Sequence, residues 1–244
     1  MSSTGAVRTM TVSRRLWSGA QPLLAWWPVL VLSGGSLVVM LAWGGMGVAA
    51  LEGSAPAHAS HAGLLVLLPW WGCMTVGMML PSTLPAMARI RQVVPRPTRP
   101  VALSLFALVF VAAWLPGAVL AEPLMGLSAR PIAGVLAMTA AGLWELTPAK
   151  RRALLECRRF PVISAQQPRG HRDVARFGVR RAGTCVVSCG PAMAAVLAAG
   201  HPPVLVLLVT AVLVAQNTVL DGPRHRVGCA VALALGGPVA LALA

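Results

Sequence analysis

The sequence predicts an all-α, polytopic transmembrane helix bundle of about seven spans, with the amino terminus inside and the carboxyl terminus outside. Three observations predict it. Apolar runs of the length needed to cross a bilayer, about 18 residues or more, recur at 26–51, 64–87, 101–121, 132–147, 183–200, 203–220 and 227–244. Nineteen of the twenty Lys and Arg residues precede the first run or fall in every second gap after it, and only Arg130 falls elsewhere. Composition agrees, with 57% hydrophobic and 11% charged residues. Short loops rich in Lys and Arg stay cytoplasmic, which sets the orientation. Seven crossings in 244 residues leave no length for a separate soluble domain. The chain reads as one multi-pass domain of the cell (plasma) membrane.

Each element has its own justification. Arg8, Arg14 and Arg15 precede the first span, and Trp17, Trp26 and Trp27 supply its interfacial belt. The run from Ser13 through Arg14 and Arg15 to Trp17 resembles a twin-arginine signal, and Ala57-His58-Ala59 resembles a peptidase site. The apolar run between them, about 25 residues, is too long for a signal core, so a retained span is expected. Arg89, Arg91, Arg96 and Arg99 separate the second span from the third. The fourth span ends near Glu145, and a basic cytoplasmic loop, 148–182, follows it. Within that loop Arg169, Arg172, Arg176 and Arg180 recur at helical spacing, a stripe suited to the anionic inner leaflet. The Pro202-Pro203 junction opens the sixth span, and Arg224 and Arg226 precede the seventh.

The same distribution accounts for the formal net charge of +14. In a soluble chain this excess would suggest nucleic acid. Here the basic residues sit where the cytoplasmic ends of spans belong, and no nucleic-acid-binding motif is present. Anionic lipid headgroups are the expected partner, together with a membrane or periplasmic partner protein.

Chemistry is sought among intramembrane sulfur and polar residues, which are reactive or costly there. Cys73 and Met74 open a Met-rich stretch in the second span that continues with Met78, Met79 and Met87. Met74 and Met78 are four apart and share a helical face. In the fifth span Cys185, Cys189 and Met193 form one stripe at four-residue spacing. Thiolate and thioether are soft donors that favour Cu(I) over hard cations. At about 1.5 Å per residue, the sulfurs of the two spans lie at compatible depths. A metal site of Cys185, Cys189, Met193, Met74 and Met78 is therefore expected. His58 and His61, near Glu52, have ligand-like spacing but read as polar loop residues. Disulfides are not expected where Cys157, Cys185 and Cys189 approach the reducing side. No catalytic set of Ser, His and Asp, phosphate-cradling loop or carboxylate pair can be assembled, so an enzyme is not expected.

Three stretches carry a family resemblance. The segment Trp71-Gly72-Cys73-Met74-Thr75-Val76-Gly77-Met78-Met79-Leu80-Pro81 is joined by Gly142-Leu143-Trp144-Glu145-Leu146-Thr147-Pro148-Ala149-Lys150 and by Cys185-Val186-Val187-Ser188-Cys189. Over roughly residues 64–235 they resemble the domain of unknown function 2182 family, described as predicted metal-binding integral membrane proteins. The resemblance implies a membrane bundle that handles a metal. Where that family usually carries further Cys and His, this chain has Ala153, Glu156 and Arg181, and of the second motif's following Cys only Cys157 remains.

The function expected is therefore binding of a soft ion, copper foremost, by a transporter or delivery factor. A scaffold subunit of a membrane complex and a small-solute permease, for which Pro81 and Pro85 would mark a broken helix, are the alternatives. Reporter fusions after residues 95, 165 and 223 should read cytoplasmic, and fusions after 57, 126 and 244 extracytoplasmic. A cytoplasmic carboxyl terminus would show that the last spans are miscounted.

Overall fold

The computed structural model describes residues 26–52, 61–119, 124, 130–163, 169–218 and 222–243. The paired arginines near the amino terminus and His58 lie outside them. Among the described residues the chain is helical, with no strand. The helices are α1 Trp27–Glu52, α2 His61–Met74, α3 Leu84–Val93, α4 Arg99–Ala112 and α5 Pro131–Glu145, then α6 Pro148–Cys157, α7 Arg169–Ala198, α8 Pro203–Thr218 and α9 Pro223–Leu243. Among the described residues, each apolar run singled out in the sequence is mostly helical. Among the described residues, two stretches suffice by length and composition to cross a membrane: Arg96–Val119 and Arg169–Ala198. A third qualifies if Ile132–Glu145 and Pro148–Cys157, bent by 70°, count as one span.

Two features depart from the expected segmentation. Most of the basic stretch 148–182 is helix rather than loop, comprising α6 and the first half of α7. The stripe Arg169, Arg172, Arg176 and Arg180 thus belongs to the same 30-residue helix as the Cys185 stripe. Val174 and Phe177 bury the opposite face, with Phe177 packed on Phe106 of α4 at 5.3 Å between ring centroids. The second departure lies in the second apolar run. It is a composite of α2, a π-helical turn Thr75–Met79, a 3-10 turn Pro81–Thr83, and α3.

The break follows from its residues. Pro81 and Pro85 have no N–H to continue an α-helical ladder. Leu80 N–H bonds back five residues to Thr75 O, and the hydroxyls of Ser82 and Thr83 donate to Met79 O and Leu80 O, each at 2.7 Å. Of the two carbonyls that the prolines deprive of an α-helical donor, Pro81 O is taken by Leu84 N–H, while the hydroxyl bonds tie Ser82 and Thr83 to the irregular turn.

The core runs through Met74, Met78, Phe106, Phe110, Met138, Met193, Leu205 and Leu213, all fully buried. Helix α5 packs against α7 and, most extensively, α9; α4 and α6 pack on α7. Small residues allow the closest approach. A Cβ on Gly142 of α5 would lie 2.6 Å from Ala230 O of α9, so only glycine fits there. After α7 the chain reverses at Gly200 and His201, which adopt φ of 75° and 59°, and enters α8.

Buried charge crosses this bundle. Glu145, at the last turn of α5, and Lys150, in the first turn of α6, pair at 2.7 Å with exposures of 1% and 0%. Glu145 Oε2 accepts from Gln216 Nε2 of α8 at 2.9 Å, while Arg158 donates to Gln216 O at 2.7 Å. Lys150, which the charge count assigns to a cytoplasmic loop, is therefore a core residue.

Two outcomes are expected from this packing. Gly142→Ala should destabilise the protein by about 1–3 kcal/mol through overpacking, read as a lower melting temperature in detergent. Lys150→Met should cost about 3–5 kcal/mol because it strands Glu145. The double variant Glu145→Gln/Lys150→Met should recover much of that loss, and a double variant no more stable than Lys150→Met would refute the pairing.

Candidate metal centre

The sulfur stripe of α7 faces inward. Cys185, Cys189 and Met193 are each no more than 2% exposed. The Cys185 and Cys189 thiols lie one turn apart on the same buried face of α7. Both are free thiols. The second apolar run meets this stripe through Met79, whose Sδ lies 4.0 Å from Cys185 Sγ. Met74 and Met78, expected at this position, are fully buried in the same core, but the sulfur in contact with Cys185 is that of Met79.

The π turn explains the register. In an α-helix, residues four apart share a face, so Met78 would follow Met74. A π turn closes on the fifth residue instead, and the face of Met74 is continued by Met79. The extra residue is marked by the Leu80-to-Thr75 bond at 3.2 Å.

A third thiol approaches from α6. Cys157, 1% exposed, donates to Thr184 Oγ1 at 3.2 Å and lies 3.8 Å from Ser188 Oγ. Ser188 Oγ is in turn 3.3 Å from Cys189 Sγ, so a single hydroxyl separates the two sulfurs. Ser188 also donates to Cys185 O at 3.2 Å.

The backbone of α7 around Cys189 is held from the α5–α6 corner. Pro191 sits inside the helix and has no N–H for Val187 O. Trp144 Nε1 takes that acceptor at 3.2 Å. The next carbonyl, Ser188 O, accepts from Lys150 Nζ. Thr147 caps α6 by accepting from Lys150 N at 3.2 Å. The second and third sequence motifs are thus parts of one contact: Trp144, Glu145 and Lys150 grip the helix that carries Cys185 and Cys189.

Arg181 is the next member of the stripe toward the start of α7, four residues before Cys185. It is 4% exposed and donates to Ser82 O at 3.2 Å and to Asn217 Oδ1 at 3.4 Å. It too was counted among the loop cations. The sequence nevertheless carried a signal for Lys150 and Glu145. A cation in a helix's first turn and an anion in another's last turn both oppose the macrodipole, which is unfavourable unless each serves the other.

What the arrangement offers chemically is a dry set of soft donors: two adjacent thiols, a third thiol one hydroxyl away, and thioethers from two segments. Among the described residues no group of three or more His, Cys, Asp or Glu side chains is placed to hold a metal ion, so any soft site here combines at most two thiols with thioethers. The set suits an ion content with two or three sulfurs.

Comparison with known proteins gives one match. A family model described as PpoB2, copper chaperone, matches residues 68–240. No curated protein and no solved structure matches the chain. The family match overturns the assignment to the domain of unknown function 2182 family made from the three motifs; the named family is a different one. It spans the π turn, the α5–α6 corner and the whole sulfur stripe, which is most of the sequence, and the chain belongs to this copper chaperone family.

Proposed function

We propose that this protein is an integral membrane copper carrier that holds Cu(I) on Cys185 and Cys189, with Met79 and Met193 as neighbouring thioether donors, and passes the ion to a partner protein. The observation that carries the reading is the contact between Cys185 and Met79, which brings soft donors from two distant segments together in a buried core. Membership of a copper chaperone family supports copper as the ion. Oxidation state follows from the donors: two thiolates and a thioether match the low coordination number and softness of Cu(I).

The membrane setting is part of the proposal. All seven apolar runs are read as crossings, with the amino terminus inside. Support comes from the outward faces of the bundle, where Leu108, Ile132, Leu136 and Leu143 are largely exposed while Met residues fill the interior. Such an apolar exterior suits lipid. The exposed arginines of α7 would then rest on anionic inner-leaflet lipids of the plasma membrane. The reading is of a carrier, not of an enzyme: binding and release of the ion need no bond-breaking in a substrate.

Copper per chain should fall from about one to about a tenth or less when Cys185 and Cys189 are both replaced by Ser, a poor soft-metal ligand. Purification in detergent without chelator, Cu(I) loading and metal analysis would measure it. Met79→Leu should weaken retention more than Met78→Leu. Full copper occupancy in the Cys185→Ser/Cys189→Ser protein would sink the proposal.

A further inference from the structure

Among the fixed charges at the sulfur stripe, one cation has no carboxylate partner. Glu145 and Lys150 neutralise one another. Arg181 is held by a backbone carbonyl and a side-chain amide oxygen, both neutral, and among the described residues no carboxylate pairs with it. It is a buried cation with no carboxylate partner among the described residues, one turn from the buried Cys185 on the same helix. An isolated buried charge costs several kcal/mol, so its retention at this position calls for a reason.

We infer that Arg181 is the counter-charge for the metal-loaded state and sets the site's preference for a monovalent ion. The inference rests on the proposed binding of copper by Cys185 and Cys189. When Cu(I) binds, two S–H bonds break, two Cu–S bonds form and two protons leave to water. One positive ion plus two thiolates carries a net charge of −1. Arg181 supplies +1, and the buried assembly becomes neutral. A divalent ion on the same two thiolates gives a neutral complex, which leaves the guanidinium as unbalanced as before. The site therefore gains electrostatic stabilisation only from a singly charged ion. Selectivity against divalent ions then comes from a residue that is not a ligand.

The test compares two ions that share a preference for two sulfurs but differ in charge, Cu(I) and Hg(II), each measured by competition with a soluble chelator or thiol. Arg181→Gln should weaken Cu(I) binding about tenfold or more, equivalent to about 1.4 kcal/mol, and leave Hg(II) binding unchanged. Arg181→Lys, which keeps the charge, should stay within about threefold of wild type for Cu(I). Asn217→Asp neutralises the guanidinium without removing it and should reproduce the Cu(I)-specific loss, so the question survives a failure of Arg181→Gln to fold. Equal weakening of both ions would mean that Arg181 is merely structural and would overturn the inference, as would unchanged Cu(I) binding in folded Arg181→Gln or Asn217→Asp. Cys185→Ser/Cys189→Ser serves as the control for the underlying reading. Copper loss there with Cu(I) affinity intact in Arg181→Gln refutes the counter-charge alone, whereas copper retained there removes the site itself.

Discussion

Two consecutive carbonyls of α7, those of Val187 and Ser188, are held by side chains from the corner between α5 and α6. Much of the rest depends on this grip. Pro191 frees the first carbonyl, on the outward side of α7 where Val187 is exposed. Trp144 supplies the missing donor. Lys150 reaches the second, and because it is charged it requires Glu145 beside it. Glu145 in turn recruits Gln216 of α8. Pro191 thus accounts for the Trp144 bond, Lys150 adds a second hold with Glu145 and Gln216 behind it, and the cysteines of α7 lie on either side of the clamped carbonyls.

The second organising device is the irregular segment from Thr75 to Thr83. A regular helix through this stretch would have aligned Met74 with Met78. The π turn moves the face by one residue and delivers Met79 to Cys185. Such turns are uncommon because their hydrogen-bond geometry is poor, and they concentrate at functional positions. Here the prolines that follow make the irregularity obligatory, and Ser82 and Thr83 make it tolerable.

The helical fold was legible in the sequence because apolar runs of bilayer length are a strong and redundant signal, and the described part of each is mostly helix. Cys185, Cys189 and Met193 were legible as one face because their spacing matches an α-helix and α7 is one through that region. Met79 was not, since a π turn leaves no period to read. Lys150 and Arg181 were misplaced for a different reason. Counting positive charges by gap treats every cation near a helix end as solvent-facing, whereas these two are buried. Their partners, Glu145 and Asn217, stand 5 and 36 residues away, and only the nearer could have been suspected from the chain. The boundary of α7 failed similarly: hydropathy marks where a helix turns apolar, not where it starts.

That early start has a mechanical consequence. Helix α7 is a single rod of 30 residues, about 45 Å long at the usual rise. Its basic half and its sulfur half share one axis with no joint before Pro191. Advancing such a rod by one residue swings every side chain through about 100°, which would carry Arg181, Cys185 and Cys189 out of register together. Movement of the helix backbone therefore shifts both thiols together, and a torque applied at the arginine-bearing end is carried along the same axis toward Cys189.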